Sequence, residues 1–139
     1  MKTAIYTITS PLHDERSVSE VSNAFIAEIE KAMGSPLIFR GTDYSAYGTD
    51  ALDIIYVRTG GTEGIFRELL PKFGGRILLL TSGKSNSLAA SLEILSYLRQ
   101  QGRNGEVIHG SPAYIASRIK TLAIVEKARR RLNGCRLGS

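Results

Sequence analysis

Tryptophan is absent from this chain, and cysteine occurs once, at Cys135. A single cysteine excludes an internal disulfide framework, and with two histidines it leaves no zinc-cluster spacing. Long apolar runs are missing too: none approaches the ~18 residues of a membrane-spanning helix. The opening residues form no charged-then-apolar leader, so a cytoplasmic protein without membrane contact is expected. Aromatic residues are few, and none is interleaved with the basic cluster Lys127, Arg129, Arg130, Arg131 and Arg136. Without aromatics to stack bases, the net charge of +5 gives little support to nucleic-acid binding. The cluster reads instead as a solvated helix end, where the macrodipole favours cations, or as one half of an interface.

What remains is ordinary for a globular protein: 139 residues, 42% hydrophobic and 22% charged. A chain of this length forms one domain and buries about two-thirds of its unfolded surface, so it needs no staple. Its organising stretch is Asp53 to Glu63. The first half, Asp53-Ile54-Ile55-Tyr56-Val57, is the near-continuous apolar run of a strand buried on both faces. Arg58-Thr59-Gly60-Gly61 then turns into a helix predicted over Thr62 to Lys72. Thr62 is placed to cap that helix with its hydroxyl, and Glu63 suits its positive end. Adjacent glycines admit φ > 0 and close approach by another molecule, or simply make a tight connection.

The same rhythm holds on either side. Strands are predicted at Thr3–Thr9, Pro36–Phe39, Arg76–Thr81 and Glu106–Gly110, the last at a sheet edge. Ser17-Val18-Ser19-Glu20 matches a capping box ahead of a helix with its stripe at Val18, Val21, Phe25, Ile29 and Ala32, stopped by Gly34. Arg40 to Asp50 is polar loop with room for a helical turn. Ser82-Gly83-Lys84-Ser85-Asn86-Ser87 leads into a helix carrying Leu88, Leu92, Leu95 and Leu98 on one side. Ser111-Pro112 opens a last helix with a buried stripe at Ile115, Ile119 and Leu122, ending near Asn133-Gly134. Alternating strands and helices predict a three-layer α/β/α sandwich with a five-stranded parallel sheet in the flavodoxin-like, Rossmann-like order 2-1-3-4-5. In that order the crevice opens between strands one and three at their C-terminal ends. The loops Ser10–Asp14 and Arg58–Thr62 would face each other across it, flanked by Ser82–Ser87. Residues 1–134 form the domain, and Cys135 to Gly138 read as the opening strand of a following one, cut short.

Several chemistries fail on residue type. A receiver needs carboxylates at the ends of strands one and three, which here carry Thr9-Ser10 and Arg58-Thr59. A flavin site lacks its phosphate loop and a stacking tryptophan. Gly83-Lys84-Ser85 lacks the upstream glycine of a P-loop, since position 78 is Leu, although a helix start beside Lys84 suits a carboxylate, phosphate or sugar hydroxyl. His13-Asp14-Glu15 are consecutive and cannot converge on one metal ion, and no second cluster completes a shell. His109 suits a structural hydrogen bond better than a base. Tyr44 and Tyr47 suit either a sugar ring or the sheet edge. Cys135 has no partner histidine.

Thr59-Gly60-Gly61-Thr62-Glu63, followed by Asn86-Ser87-Leu88-Ala89-Ala90-Ser91-Leu92-Glu93, resembles the N-terminal region of the L-fucose/L-arabinose isomerase superfamily, and within it the fucose-isomerase-like proteins. Leu132 to Gly138 is similar to the entry into their second α/β domain. The resemblance implies carbohydrate metabolism: aldose–ketose isomerisation through an enediol, aided by a divalent metal, usually manganese, in a homo-oligomer. The metal ligands and acid/base carboxylates of that family lie in later domains and map onto no position here. This chain would therefore be inactive alone, without a catalytic residue, metal or cofactor of its own. It would lend a polar rim to a carbohydrate site. Gly60, Gly61, Thr62, Glu63, Asn86 and Ser87 carry over by motif as candidate substrate contacts, joined by Arg58, Thr59, Lys84 and His13 from the loops. The rival reading is a free-standing flavodoxin-like module that binds a small anion or a protein.

Overall fold

The computed structural model describes residues 1–49 and 51–137. Its strands are β1 (Thr3–Ile8), β2 (Ile38–Gly41), β3 (Leu52–Val57), β4 (Ile77–Leu80) and β5 (Gly105–Ile108). They lie in one parallel sheet in the order β2-β1-β3-β4-β5, as the alternation predicted. The helices are α1 (Glu15–Met33), α2 (Glu63–Leu69, prolonged by a 3-10 turn at Leu70–Lys72), α3 (Ser87–Gln100) and α4 (Pro112–Leu137). No helix among the described residues is long and apolar enough to cross a membrane.

Helices cover both faces, which is why the strands are apolar throughout. Successive residues of a strand point to opposite sides. On β3, Ile54 and Tyr56 join α1 and α4 through Ile26, Ile29, Ile115, Ile119 and Leu122. Ile55 and Val57 join α2 and α3 through Phe66, Ala90, Ile94 and Leu98. Ile54, Ile55 and Val57 are all at 0% exposure. Each such side chain stabilises the fold by roughly 1.5–3 kcal/mol before entropy is counted.

Local details differ from the sequence reading where a stronger partner wins. Helix α1 starts at Glu15, ahead of the predicted box, because Asp14 caps it. The Asp14 carboxylate accepts from the Ser17 amide at 3.3 Å and the Ser17 hydroxyl at 2.7 Å. A carboxylate is the better acceptor at the positive helix end, and these bonds hold Asp14 below its usual pKa. The buried stripe is Val18, Ser22, Ile26 and Ile29, so Val21 and Ala32 lie outside it. On α3 only Leu98 of the leucine row is fully buried, and Leu88 and Leu95 are half-buried. Ser87, Ala90, Ser91, Ile94 and Leu98 are buried, and Leu92 is exposed. Small residues let this helix settle close to the sheet, which leaves Leu88, Leu92 and Leu95 off its buried face.

Helix α4 opens as expected, with the Tyr114 amide donating to the Ser111 hydroxyl at 3.1 Å. It then runs through Asn133-Gly134 to Leu137, so Cys135–Leu137 is helical and does not open a strand. One mid-helix glycine costs only about 1 kcal/mol, too little to stop a long helix by itself. Gly138, the last residue of the expected strand, lies outside the described residues. Tyr44 and Tyr47 pack on the sheet: Tyr44 stacks on the buried Tyr6 at 5.3 Å, and Tyr47 meets Phe73 at 4.5 Å. The Tyr44 hydroxyl donates to the Thr7 carbonyl at 2.5 Å, and burial raises its pKa to about 12.

Candidate functional site

The loops that leave β1, β3 and β4 meet at the C-terminal edge of the sheet, and hydroxyl groups tie them together. The Ser10 amide donates to Thr59 Oγ1 at 3.0 Å, and Thr59 Oγ1 donates to the Gly60 carbonyl at 3.0 Å. The Gly60 amide donates to the Ser85 carbonyl at 2.7 Å, which joins the paired-glycine bend to the loop after β4. That loop is held by Thr81, whose hydroxyl donates to Ser87 Oγ at 2.7 Å and accepts from the Gly83 amide at 3.0 Å. Ser91 in turn donates to the Ser87 carbonyl at 2.7 Å.

The glycines are needed for this closeness. A Cβ on Gly60 would stand 3.0 Å from Asn86 Cβ. Gly61 has φ +72° and would place a Cβ 3.4 Å from Ser10 Oγ. The molecule that approaches the glycine bend is therefore the chain itself. Two residues that are not glycine, Ser85 and Asn86, take φ of 54° and 60°. Such backbone costs of order 1–3 kcal/mol per residue and persists only where the surroundings enforce it.

This packing leaves a cleft of about 380 Å³ lined by Ser10, Leu12, His13, Gly60, Gly61, Glu63, Asn86, Ala89, Ala90 and Glu93. Its floor is glycine and alanine. Its polar side chains are two carboxylates, an imidazole, an amide and the Ser10 hydroxyl, with no lysine or arginine. Glu63 and Glu93 lean together, and a hydrogen bond with Glu63, together with its charge, raises the Glu93 pKa. The Asn86 side chain is exposed and makes no capping bond to α3.

Set against the sequence candidates, the geometry divides them. His13, Gly60, Gly61, Glu63 and Asn86 do line one cleft. Thr59, Thr62 and Ser87 are at 0% exposure and build the loops from within. Thr62 does not cap α2 with its hydroxyl; it donates to the Thr59 carbonyl at 3.2 Å. Arg58 is turned toward α1, donating to Ser22 at 2.9 Å and to Ser19 and Glu15 at 3.1 Å each. Lys84 lies on the far side of the Gly60–Ser85 bridge, in a separate groove of about 290 Å³ shared with Arg58, Ser85 and His13. His109 sits against Gly83, where an added Cβ would meet its Nε2 at 2.9 Å. Glu93 and Ser10 were missed by sequence reasoning. Helical spacing was the available signal for Glu93: residues 86, 89/90 and 93 share a side of α3.

Among the described residues, no three His, Cys, Asp or Glu side chains converge where a metal ion could sit. The described residues therefore do not fit a manganese site. Comparison of the chain with known protein families, curated proteins and solved structures finds no match.

Proposed function

We propose that the chain is an amino-terminal α/β domain of a sugar-isomerase-like protein and that its C-terminal-edge cleft holds part of a neutral polyol. The carrying observation is the lining of that cleft: two carboxylates and no lysine or arginine. Hydroxyl groups of a sugar donate to carboxylates in charge-assisted bonds, whereas a phosphate or carboxylate ligand would meet like charge. Glu63 and Glu93 are the acceptors in this reading, Asn86 supplies an amide that both donates and accepts, and the glycine–alanine floor lets a ring approach the backbone. In this reading the proton transfers through the enediol belong to groups outside this chain. The aldose–ketose activity of the parent protein rests on the resemblance at Thr59–Glu63 and Asn86–Glu93.

The test is an amide-resolved NMR titration with L-fucose, L-arabinose and the corresponding alditols. Saturable shifts are expected at Gly60, Gly61 and Asn86, weakened several-fold in Glu63→Gln and Glu93→Gln. With manganese added, the isolated chain is expected to form no ketose. One observation favours the small-anion alternative: Lys84 and His13 line the neighbouring groove. A sugar phosphate or inorganic phosphate that binds tighter than any neutral sugar, with shifts at Lys84 and Ser85, would replace the polyol reading.

A further inference from the structure

The layer formed by α1 and α4 carries a surface that the cleft does not use. A helix that covers a sheet is normally apolar on its buried side and polar on the other. Helix α4 departs from this rule. It buries Ile115, Ile119 and Leu122, yet Ile124, Val125 and Leu132 are 70%, 54% and 69% exposed. Ile124, Ala128 and Leu132 follow at four-residue spacing, so they form one outward row. Lys120, Lys127 and Arg131, all exposed, run beside it. Helix α1 lies next to α4 on the same face of the sheet, where Ile26 and Ile29 share a core with Ile115, Ile119 and Leu122.

The outer side of α1 is of the opposite make. Its exposed residues include the small Ala24 and Ala27, the apolar Val21, and the carboxylates Glu20 and Glu28. A groove of about 480 Å³ runs along it, lined by Glu20, Val21, Ala24, Phe25 and Glu28 of α1, with one cation, Lys84, on its other wall. The cations of α1, Arg16 and Lys31, stand toward its two ends, and the Arg16–Glu20 contact is a solvent-exposed 3.9 Å pair. An exposed pair of this kind contributes little and gives way easily. One helix thus offers large apolar side chains edged with cations. Its neighbour offers a groove, small residues and carboxylates.

We propose that two copies of this chain pair through this layer about a two-fold axis, with α4 of each seated on α1 of the other. Both helices follow strands of one parallel sheet and cover the same face, so they run in the same direction. An axis parallel to them sets each α1 opposite the partner copy's α4. The basic row of one copy, Lys120 and Lys127, then faces Glu20 and Glu28 of the other, and the contact is made twice. Pairing like with like would set Lys127 and Arg131 against themselves, which charge forbids. The arrangement is isologous and closes at two copies, which distinguishes it from open-ended stacking.

The test is the mass of the full chain in solution, followed by sedimentation over a wide concentration range. A monomer–dimer equilibrium is expected, weakened by salt. Glu28→Lys and Lys127→Glu should each loosen it by about tenfold, and the double exchange should restore it. Ile124→Glu should abolish pairing while leaving the thermal unfolding of the monomer unchanged, because Ile124 faces solvent in the single chain. A monomer at every concentration overturns the proposal. So does a dimer that is indifferent to Ile124→Glu or that the double exchange fails to rescue.

Discussion

At the C-terminal end of the sheet hydroxyls tie the loops to one another and one arginine, Arg58, ties the end of β3 to α1, whereas at the N-terminal end arginines reach directly to the loop carbonyls. The N-terminal end has the larger hollow, about 780 Å³, lined in part by Leu52, Leu78, Leu122 and Val125 with Asp53, Arg129 and Arg130. There Arg130 donates to the Thr49 and Ala51 carbonyls at 2.8 and 3.0 Å, and Arg103 to the Phe73 and Gly75 carbonyls at 2.7 and 3.1 Å. Long cationic side chains can reach carbonyls of widely spaced loops. A hydroxyl both donates and accepts over a short reach, so it suits loops that touch. The consequence is functional. Arg103 and Arg130 at the N-terminal end are occupied by the chain's own carbonyls, while Glu63, Glu93 and Asn86 at the other end border a cleft. Volume alone would point to the end opposite the proposed site.

The largest expected effect tests how tightly the C-terminal end is locked. Arg58→Ala should cost about 3 kcal/mol in urea denaturation, because it removes three charge-assisted bonds and leaves the buried Ser22 without its donor. Arg130→Ala at the other end should cost about 1 kcal/mol, since its carbonyls lie close to solvent. Equal losses would erase the contrast.

Next, Gly60→Ala should cost about 1–2 kcal/mol, because its Cβ must push the Asn86 loop away. Gly74→Ala, with open space around its Cβ position, should stay within about 0.5 kcal/mol.

A smaller gain is expected at Asp53. Its Oδ2 accepts from the Gly48 amide at 2.9 Å, while the buried Oδ1 accepts no well-formed hydrogen bond. Burial raises its pKa, against the pull of Arg130 and a weak contact with the Tyr6 hydroxyl. A carboxylate raised on folding binds its proton more tightly in the native state, so its penalty applies above the folded pKa and fades as pH falls through it. Asp53→Asn should therefore stabilise by about 1 kcal/mol at neutral pH. The gain should shrink on acidification, as measured by thermal unfolding across pH.

The smallest effect concerns the cleft itself. The Glu93 carboxyl should titrate above its ordinary midpoint by NMR, and Glu63→Gln should bring that midpoint down. An unchanged midpoint would separate the two carboxylates and weaken the reading of a shared acceptor pair.

Much of this was legible in the residues. The apolar run of β3, the Ser111-Pro112 start of α4 and the glycine stops gave element types and strand order, because periodicity and turn chemistry are local. Boundaries moved by a residue or two where neighbours compete, as Asp14 does with Ser17 at the head of α1. On α3 periodicity finds the leucine row, and only packing tells that Ser87, Ala90, Ser91, Ile94 and Leu98 meet the sheet. Arg58 and Thr59 were nominated as ligand contacts from their place after a strand. Their hydrogen bonds run to Ser22 and Ser10, far away in sequence.

By itself the amino-acid sequence determined a five-stranded parallel sheet covered on both faces, with glycine-rich bends at its C-terminal edge. Burial pattern and turn residues encode that much. Which side chains point into the cleft and which hold it shut was decided only by the tertiary structure, because loops from three strands must close against one another before any of their groups acquires a partner.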